Sequence, residues 1–175
     1  HSSMPLSMKG LPEDHIQITT LINSLKGDLS TYEFAWHPLN RNGEMEGEIV
    51  GGNLSVVYSI LGSTSDIDTI GKILFIEDLD EYLYHIDRMM MNLKRNWKLK
   101  DLAGLLIGGM SDMNDNTIPF GKTAEEIIRE AVKEYDYPVC FNFPAGHIDD
   151  NRALILGKKA AIRITDSGSQ FQYKS

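Results

Sequence analysis

The strongest constraint on the fold is an alternation of apolar strands with amphipathic helices across the centre of the chain. Apolar runs at 72–76, 102–109 and 138–143 predict three strands. Helical spacing of apolar residues predicts helices at about 80–92 and after Thr123, which would cap the second helix. Such alternation is typical of a mixed α/β fold, in which a parallel or mixed sheet places ligand chemistry at the carboxyl ends of its strands.

The flanking segments add a helix and several strands to this centre. Apolar residues at three- and four-residue spacing predict a helix within 12–25. Residues 31–36 and the segment ending at Val50 flank an Asn-Gly turn, which predicts a hairpin, and Asn53 would cap a short helix. The tail from 153 to 173 contains short strand-like pieces that suit a small second sheet.

The composition is that of a one-domain globular protein, with 175 residues of which 42% are hydrophobic and 24% charged. The net charge of −8 opposes a polyanion, so we expect no nucleic-acid partner. The longest apolar run, 102–110, is about half the ~18 to 20 residues that span a bilayer, so we expect no membrane helix. The single cysteine, Cys140, lies within an apolar strand and is interpreted as a small buried residue.

Two titratable residues follow strands of the predicted sheet. Glu77 comes directly after the strand at 72–76, and His147 lies in a Pro-Gly loop just past the third strand. An acidic residue at such a position often only caps the next helix, but Asp80 is the better-placed cap and leaves Glu77 freer. If the two meet, the carboxylate would fix the tautomer of the imidazole, and the other ring nitrogen would act as general base for a hydroxyl.

Two other sets of residues offer weaker alternatives. Ser111 follows a strand, as a nucleophile often does, but it lacks the later glycine and the following helix of a nucleophile elbow. We therefore interpret Ser111 as non-catalytic. His147, Asp149 and Asp150 carry the atoms for a zinc or manganese site of a metal-dependent hydrolase, although their spacing matches no known metal pattern.

Three segments occur in the order 51–55 (GGNLS), 73–88 (ILFIEDLDEYLYHIDR) and 144–147 (PAGH). In this order they resemble the carboxyl-terminal half of the L,D-carboxypeptidase family, which includes the microcin C self-immunity peptidases. The similarity runs from about Gly43 to Ala161. The resemblance implies a three-layer β/β/α swivelling domain at residues 13–175, with residues 1–12 as a linker or a remnant of an N-terminal domain.

The resemblance also implies a chemistry. Members of the family are two-domain serine peptidases that use a Ser-Glu-His triad and no metal or other cofactor, and their catalytic glutamate and histidine match Glu77 and His147. The family serine lies in a Gly-Tyr-Ser-Asp turn of the N-terminal domain, and nothing upstream of Glu77 matches that turn. Residues 1–5 (HSSMP) are similar to a His-x-x-Met-Pro segment that follows the serine, with an added leader as the alternative.

The function implied by the resemblance is cytoplasmic removal of the terminal D-amino acid from murein tetrapeptides during peptidoglycan recycling. The implied partners are the murein peptide and the N-terminal domain of the same protein, and a homodimer is left open. This chain alone would be inactive, because it lacks the nucleophile. The alternatives are a microcin-immunity-type peptidase that acts on a peptidyl nucleotide, and a non-catalytic binding module, which would not need Glu77 near His147.

Overall fold

A computed structural model describes residues 1–2 and 8–174 of the chain, which form four helices and seven strands. In chain order the elements are α1 (Ile16–Lys26), β1 (Thr31–Phe34), β2 (Gly43–Asn53), α2 (Leu54–Ser59), β3 (Ile73–Leu79), α3 (Leu83–Arg95), β4 (Gly104–Ser111), α4 (Ala124–Ala131), β5 (Val139–Cys140), β6 (Lys159–Thr165) and β7 (Gly168–Tyr173). None of these helices has the length and apolarity needed to cross a bilayer.

A single long strand, β2, joins two halves of the sheet. Its first part, 43–48, pairs antiparallel with β6, and the sheet continues through β7 to β1. Its second part, 49–53, pairs parallel with β3, and the sheet continues through β4 to β5. The predicted alternation of central strands and helices is therefore confirmed. The strands predicted near the end of the chain form as β6 and β7, but they extend the same seven-stranded sheet and do not make a second one.

The predicted hairpin between residues 31–36 and the strand ending at Val50 is wrong. Strand β1 pairs antiparallel with β7, at the far end of the chain, and β2 pairs with β3 and β6. The ring of Tyr32 on β1 stacks on Phe171 of β7, with 5.4 Å between the ring centroids, and both residues are buried. This aromatic pairing outweighs the local turn signal, because it buries two large rings in the core.

The parallel half of the sheet is covered on both faces, which produces three layers. On β3, Leu74 and Ile76 pack with α2, α3 and α4, whereas Ile73 and Phe75 pack against the antiparallel half of the sheet. Alternate side chains of a strand point to opposite faces, so β3 contributes to both cores. The predicted three-layer β/β/α arrangement is confirmed.

Helix α1 (Ile16–Lys26) overlaps the predicted region, but it docks through polar side chains. Gln17 and Thr20 are its buried residues. The side-chain amide of Gln17 donates to the carbonyl of Asp149 at 2.5 Å, and the hydroxyl of Thr20 accepts from the backbone nitrogen of Ala153 at 3.1 Å. Helix α1 therefore holds the segment that follows His147, while some of its apolar side chains face solvent, namely Ile16, Ile22 and Leu25.

The prediction that Asp80 caps the central helix is wrong. Helix α3 begins only at Leu83, after Tyr82, which makes no side-chain capping bond. Asp80 has a φ of 59°, and its carboxylate accepts from the side-chain amide of Asn114 at 2.7 Å. The physical reason is that β3 stays paired with β4 as far as Leu79, which moves the turn to 80–82. Glu77 is therefore an interior residue of the strand.

Candidate active site

Glu77 lies beside a bulge in the neighbouring strand, β4. The pairing between β3 and β4 shifts between Ile76 and Asp78, so that Gly108 and Gly109 of β4 lie opposite Glu77. A bulge bends a strand and can re-aim the side chain next to it. The side chain of Glu77 has no exposed surface, so its carboxylate depends on protein groups for its hydrogen bonds.

Asp78, the next residue of the strand, has a structural role. Its carboxylate accepts from the side-chain amide of Asn53 at 2.8 Å and from the backbone nitrogens of Ser55 and Leu79, each at 2.9 Å. Burial raises the pKa of Asp78 above its ordinary value. Because alternate side chains of a strand face opposite ways, Asp78 holds the start of α2 on the far side from Glu77.

The structure brings the two predicted site residues together. Nδ1 of His147 lies 2.8 Å from Oε2 of Glu77, and the backbone nitrogen of His147 donates to the same oxygen at 3.2 Å. The side chain of His147 is 44% exposed, whereas that of Glu77 is 0% exposed. Within the described part of the chain, Nε2 of this imidazole has no hydrogen-bond partner, so it is free to accept a proton.

Glycines allow the loop that carries His147 to pack directly over Glu77. Gly146 has a φ of 112°, and a Cβ atom there would lie 2.8 Å from Oε2 of Glu77. A Cβ atom on Gly108 would lie 2.3 Å from the carbonyl oxygen of Ala145. The Pro-Gly loop therefore presents one imidazole at the carboxyl edge of the parallel strands, as the sequence predicts.

A second imidazole, which the sequence reasoning did not single out, also contacts Glu77. Nε2 of His1 lies 3.3 Å from Oε1 of the carboxylate, and the His1 ring meets the edge of Phe75 with 5.3 Å between centroids. The backbone nitrogen and carbonyl of His1 both bond to Leu154, at 2.8 Å each. The similarity of residues 1–5 to a His-x-x-Met-Pro segment is the one available signal, and residues 3–7 lie outside the described residues.

The two imidazoles determine the charge state of the carboxylate. Burial by itself would raise the pKa of Glu77, but the hydrogen bonds from His1 and His147 outweigh burial and hold that pKa below its ordinary value. Glu77 is therefore an anion at neutral pH. Since an ionised carboxylate can only accept, Nδ1 of His147 must carry the proton that it donates to Oε2.

Neither Ser111 nor Cys140 is activated as a nucleophile. The hydroxyl of Ser111 donates to the backbone carbonyl of His147 at 2.6 Å, so its proton is committed to the loop and not to the imidazole. Cys140 is fully buried, and burial raises the pKa of its thiol to about 12, which keeps it protonated at neutral pH. Its interpretation as a small buried residue is confirmed.

The residues of the suggested metal site make other contacts. The carboxylate of Asp150 forms an ion pair with Arg152 at 2.7 Å, and the backbone carbonyl of Asp149 is held by Gln17. Across residues 1–2 and 8–174, no group of three or more His, Cys, Asp and Glu side chains is arranged to hold a metal ion.

The imidazole of His147 opens onto a cleft of about 970 Å³. Side chains from several elements line this cleft, including His1, His15, Asn53, Glu77 and Leu79. The arrangement can orient a neutral imidazole, stabilise its protonated form and present Nε2 to a group that enters the cleft. It contains an acid–base pair and no activated hydroxyl or thiol among the residues that the structure describes.

Comparison with known proteins identifies the family. Residues 46–162, more than half of the chain, match the model of the LD-carboxypeptidase C-terminal domain. The chain belongs to the LD-carboxypeptidase family. This LD-carboxypeptidase domain is 40% identical over 128 residues to a probable murein peptide carboxypeptidase of Bacillus subtilis, covering 71% of this chain and 39% of the relative. It is also 31% identical to the microcin C7 self-immunity protein MccF of Escherichia coli, covering 69% of this chain and 35% of the relative.

The fold of the LD-carboxypeptidase domain is found in solved structures as well. It matches a muramoyltetrapeptide carboxypeptidase from Oxalobacter formigenes with a TM-score of 0.83 and 22% identity, over 93% of this chain and 55% of that one. The chain thus spans about half the length of that structure and less of the two curated relatives. The predicted family and the predicted fold are both confirmed.

Proposed function

We propose that this chain is the C-terminal domain of a serine L,D-carboxypeptidase that removes the terminal D-amino acid from murein tetrapeptides. Glu77 and His147 are two members of its Ser-Glu-His triad, and the nucleophilic serine belongs to an N-terminal domain of the same protein. The observation that carries this proposal is the buried carboxylate of Glu77, 2.8 Å from Nδ1 of an imidazole whose other nitrogen faces a cleft.

In the first half of the reaction, the serine hydroxyl attacks the carbonyl that joins the L-configured centre to the terminal D-amino acid. Nε2 of His147 removes the hydroxyl proton as the C–O bond forms, and Glu77 stabilises the resulting imidazolium through Nδ1. The tetrahedral intermediate then expels the D-amino acid as an amine, which takes the proton from Nε2. An acyl-enzyme remains on the serine.

In the second half, water attacks the acyl-enzyme and His147 again acts as the base. The proton passes through Nε2 to the serine oxygen as the tripeptide leaves, which regenerates the starting state. Donors for the developing oxyanion would come from the N-terminal domain, as would the serine. Because the serine and the oxyanion donors would lie in the N-terminal domain, we expect the 175-residue chain alone to be inactive.

The test uses the longer chain, defined as this chain extended upstream of His1 to include the N-terminal domain. We expect the longer chain to release D-alanine from a murein tetrapeptide, and both His147→Ala and Glu77→Gln to abolish most of the release. The 175-residue chain serves as a control that releases none. Full release by either variant of the longer chain, or release by the short chain, contradicts the proposal.

A second candidate is a microcin-immunity-type peptidase that acts on a peptidyl nucleotide, since MccF is a relative at 31% identity. A solved structure described as MccF in complex with aspartyl sulfamoyl adenosine matches this fold with a TM-score of 0.77. Assaying the longer chain on a murein tetrapeptide and on an aspartyl-nucleotide analogue separates the candidates. Binding of either substrate without cleavage would favour a non-catalytic binding module.

The proposed substrate also implies a cellular compartment and a set of partners. Murein tetrapeptides released during peptidoglycan recycling would be cleaved in the cytoplasm, so we place the whole enzyme there. Its partners would be the murein peptide and its own N-terminal domain, and a homodimer is compatible with this assignment. Light scattering on the longer chain would distinguish a monomer from a dimer.

A further inference from the structure

The carboxylate of Glu77 has two oxygens, and each serves a different imidazole. Oε2 accepts from the ring and the backbone nitrogen of His147, whereas among the described residues Oε1 contacts Nε2 of His1, at 3.3 Å. The side chain of His1 is 17% exposed, compared with 44% for His147. His1 therefore lies deeper than the proposed base, on the opposite edge of the same carboxylate.

We propose that His1 is a positioning residue for the triad, because its imidazole fixes Oε1 of Glu77 and so keeps Oε2 directed at Nδ1 of His147. This role rests on the proposed function and extends it to a third side chain. His1 does not reach the reacting atoms itself. It acts through a contact on the second oxygen, which limits rotation of the carboxylate about its terminal torsion further than the bonds from His147 to Oε2 do alone.

The backbone around His1 is built to hold that imidazole in place. Its nitrogen and carbonyl form a reciprocal pair with Leu154, each at 2.8 Å, and either an amine or a peptide nitrogen can make the first donation. The ring meets Phe75, two residues before Glu77 on the same face of β3, in an edge-to-face contact with an interplanar angle of 74°. Backbone pairing and ring packing thus fix His1 independently of the carboxylate.

A buried carboxylate also needs a partner for each oxygen. Leaving Oε1 without a donor would cost the full desolvation of that atom, and the anion would become easier to protonate. Of the titratable side chains in residues 1–2 and 8–174, His1 and His147 contact this carboxylate. The neighbouring Asp78 is bonded to the start of α2 instead. Loss of His1 therefore weakens the anion that the imidazolium of His147 requires.

The direct test is an NMR titration of the 175-residue chain, in which the chemical shift of the Glu77 carboxyl carbon is measured as a function of pH. We expect His1→Leu to raise the pKa of Glu77, because burial remains while one donor is lost. His1→Gln places an amide nitrogen near the position of Nε2 and should keep the pKa close to that of the native chain. His1→Asn is equally polar but too short to reach Oε1, so its pKa should rise as in His1→Leu.

This pair of polar variants keeps the test decisive if His1→Leu does not fold. An unchanged titration of Glu77 in either His1→Leu or His1→Asn would overturn the proposal. His85→Gln is the matched control, because His85 contacts another glutamate, Glu81, outside the site. We expect it to leave the Glu77 titration unchanged.

A kinetic test in the longer chain then separates positioning from general stability. We expect His1→Leu to lower kcat about tenfold while KM changes less than about twofold, and His1→Gln to restore most of kcat. An unchanged kcat in His1→Leu overturns the role. If instead Glu77→Gln and His147→Ala both leave activity intact, the proposed function fails, and the titration still decides whether His1 holds the carboxylate.

Discussion

Besides the contact of His1 with Glu77, two glutamate–histidine pairs among the described residues have similar contact distances and different surroundings. Glu77 and His147 meet at 2.8 Å, although 70 residues separate them in the chain. Glu81 and His85 meet at 2.6 Å across four residues at the start of α3. Judged by distance alone, the second pair would be as good a candidate for an active site as the first.

Burial distinguishes the two pairs. The side chain of Glu77 is 0% exposed and that of Glu81 is 22% exposed. A pair that water can reach is worth only about 0.5 kcal/mol, because solvent competes for both partners. A fully buried carboxylate must be held by fixed donors, and those donors keep it ionised and aimed. The combination of a fully buried carboxylate and a partly exposed imidazole therefore indicates acid–base chemistry.

The largest expected difference between the pairs is the effect of removing each histidine in the longer chain. His147→Ala removes the proposed general base and should lower kcat/KM by about 10⁵-fold. His85→Ala removes a partly exposed partner and should change kcat/KM by no more than about twofold. D-alanine release from a murein tetrapeptide measures both effects. Comparable losses in the two variants would show that burial does not distinguish the functional pair from the other one.

Replacing each glutamate should give the next largest difference. Glu77→Gln preserves shape but removes the anion that fixes the tautomer of His147, so kcat should fall about 10⁴-fold. The matched variant Glu81→Gln should reduce kcat by no more than about twofold. Circular dichroism would confirm that both variants fold, and full activity in Glu77→Gln would show that the buried anion is not needed.

Packing around the buried pair predicts a large stability difference between two glycine variants. Gly146→Ala places a Cβ atom 2.8 Å from Oε2 of Glu77 at a φ of 112°, whereas Gly121 has a φ of 81° and open space around it. We expect Gly121→Ala to cost about 1 kcal/mol from backbone strain alone, and Gly146→Ala to cost about 3 kcal/mol from strain and overpacking. Urea unfolding measures both, and equal costs would contradict the tight loop packing.

The low pKa of Glu77 also makes stability depend on pH in a defined direction. Because the folded pKa lies below the unfolded value of about 4.3, the ionised carboxylate stabilises the fold above that value. This contribution is lost as the pH falls through the folded pKa. The difference in unfolding free energy between the native chain and Glu77→Gln should therefore shrink as the pH falls from above about 4.3, the unfolded pKa, through the lower folded pKa. A difference that is independent of pH would exclude the charge as its source.

The smallest expected effect is that of Ser111→Ala. The hydroxyl of Ser111 donates to the carbonyl of His147, so removing this hydroxyl should cost about 1 kcal/mol of stability. We expect kcat of the longer chain to stay within about fivefold of the native value. Loss of all activity would instead make Ser111 the nucleophile and remove the need for an upstream serine.

The sequence was informative wherever a feature depends on local pattern. Apolar runs and helical spacing located the central strands and helices, and the position of Glu77 and His147 near strand ends indicated that they meet. The same reasoning failed for the hairpin, because β1 and β7 pair across most of the chain. It also failed for Asp80, because the extent of β3 is decided by its pairing with β4.

The contact of His1 with Glu77 was beyond such reasoning for a similar physical reason. It joins residues 76 positions apart, and it depends on backbone pairing with Leu154 and on the face of β3 that Phe75 and Glu77 share. No periodicity within residues 1–12 encodes these contacts. The bulge at Gly108 and Gly109 is likewise a property of strand register, which no single segment specifies.

The central claim is that Glu77 and His147 activate a serine that lies upstream of His1. Labelling the longer chain with a fluorophosphonate probe, and mapping the adduct by mass spectrometry, tests it most directly. We predict one adduct on a serine upstream of His1, slow labelling in His147→Ala, and no adduct on the 175-residue chain. An adduct on Ser111, or labelling that His147→Ala leaves unchanged, would contradict the account.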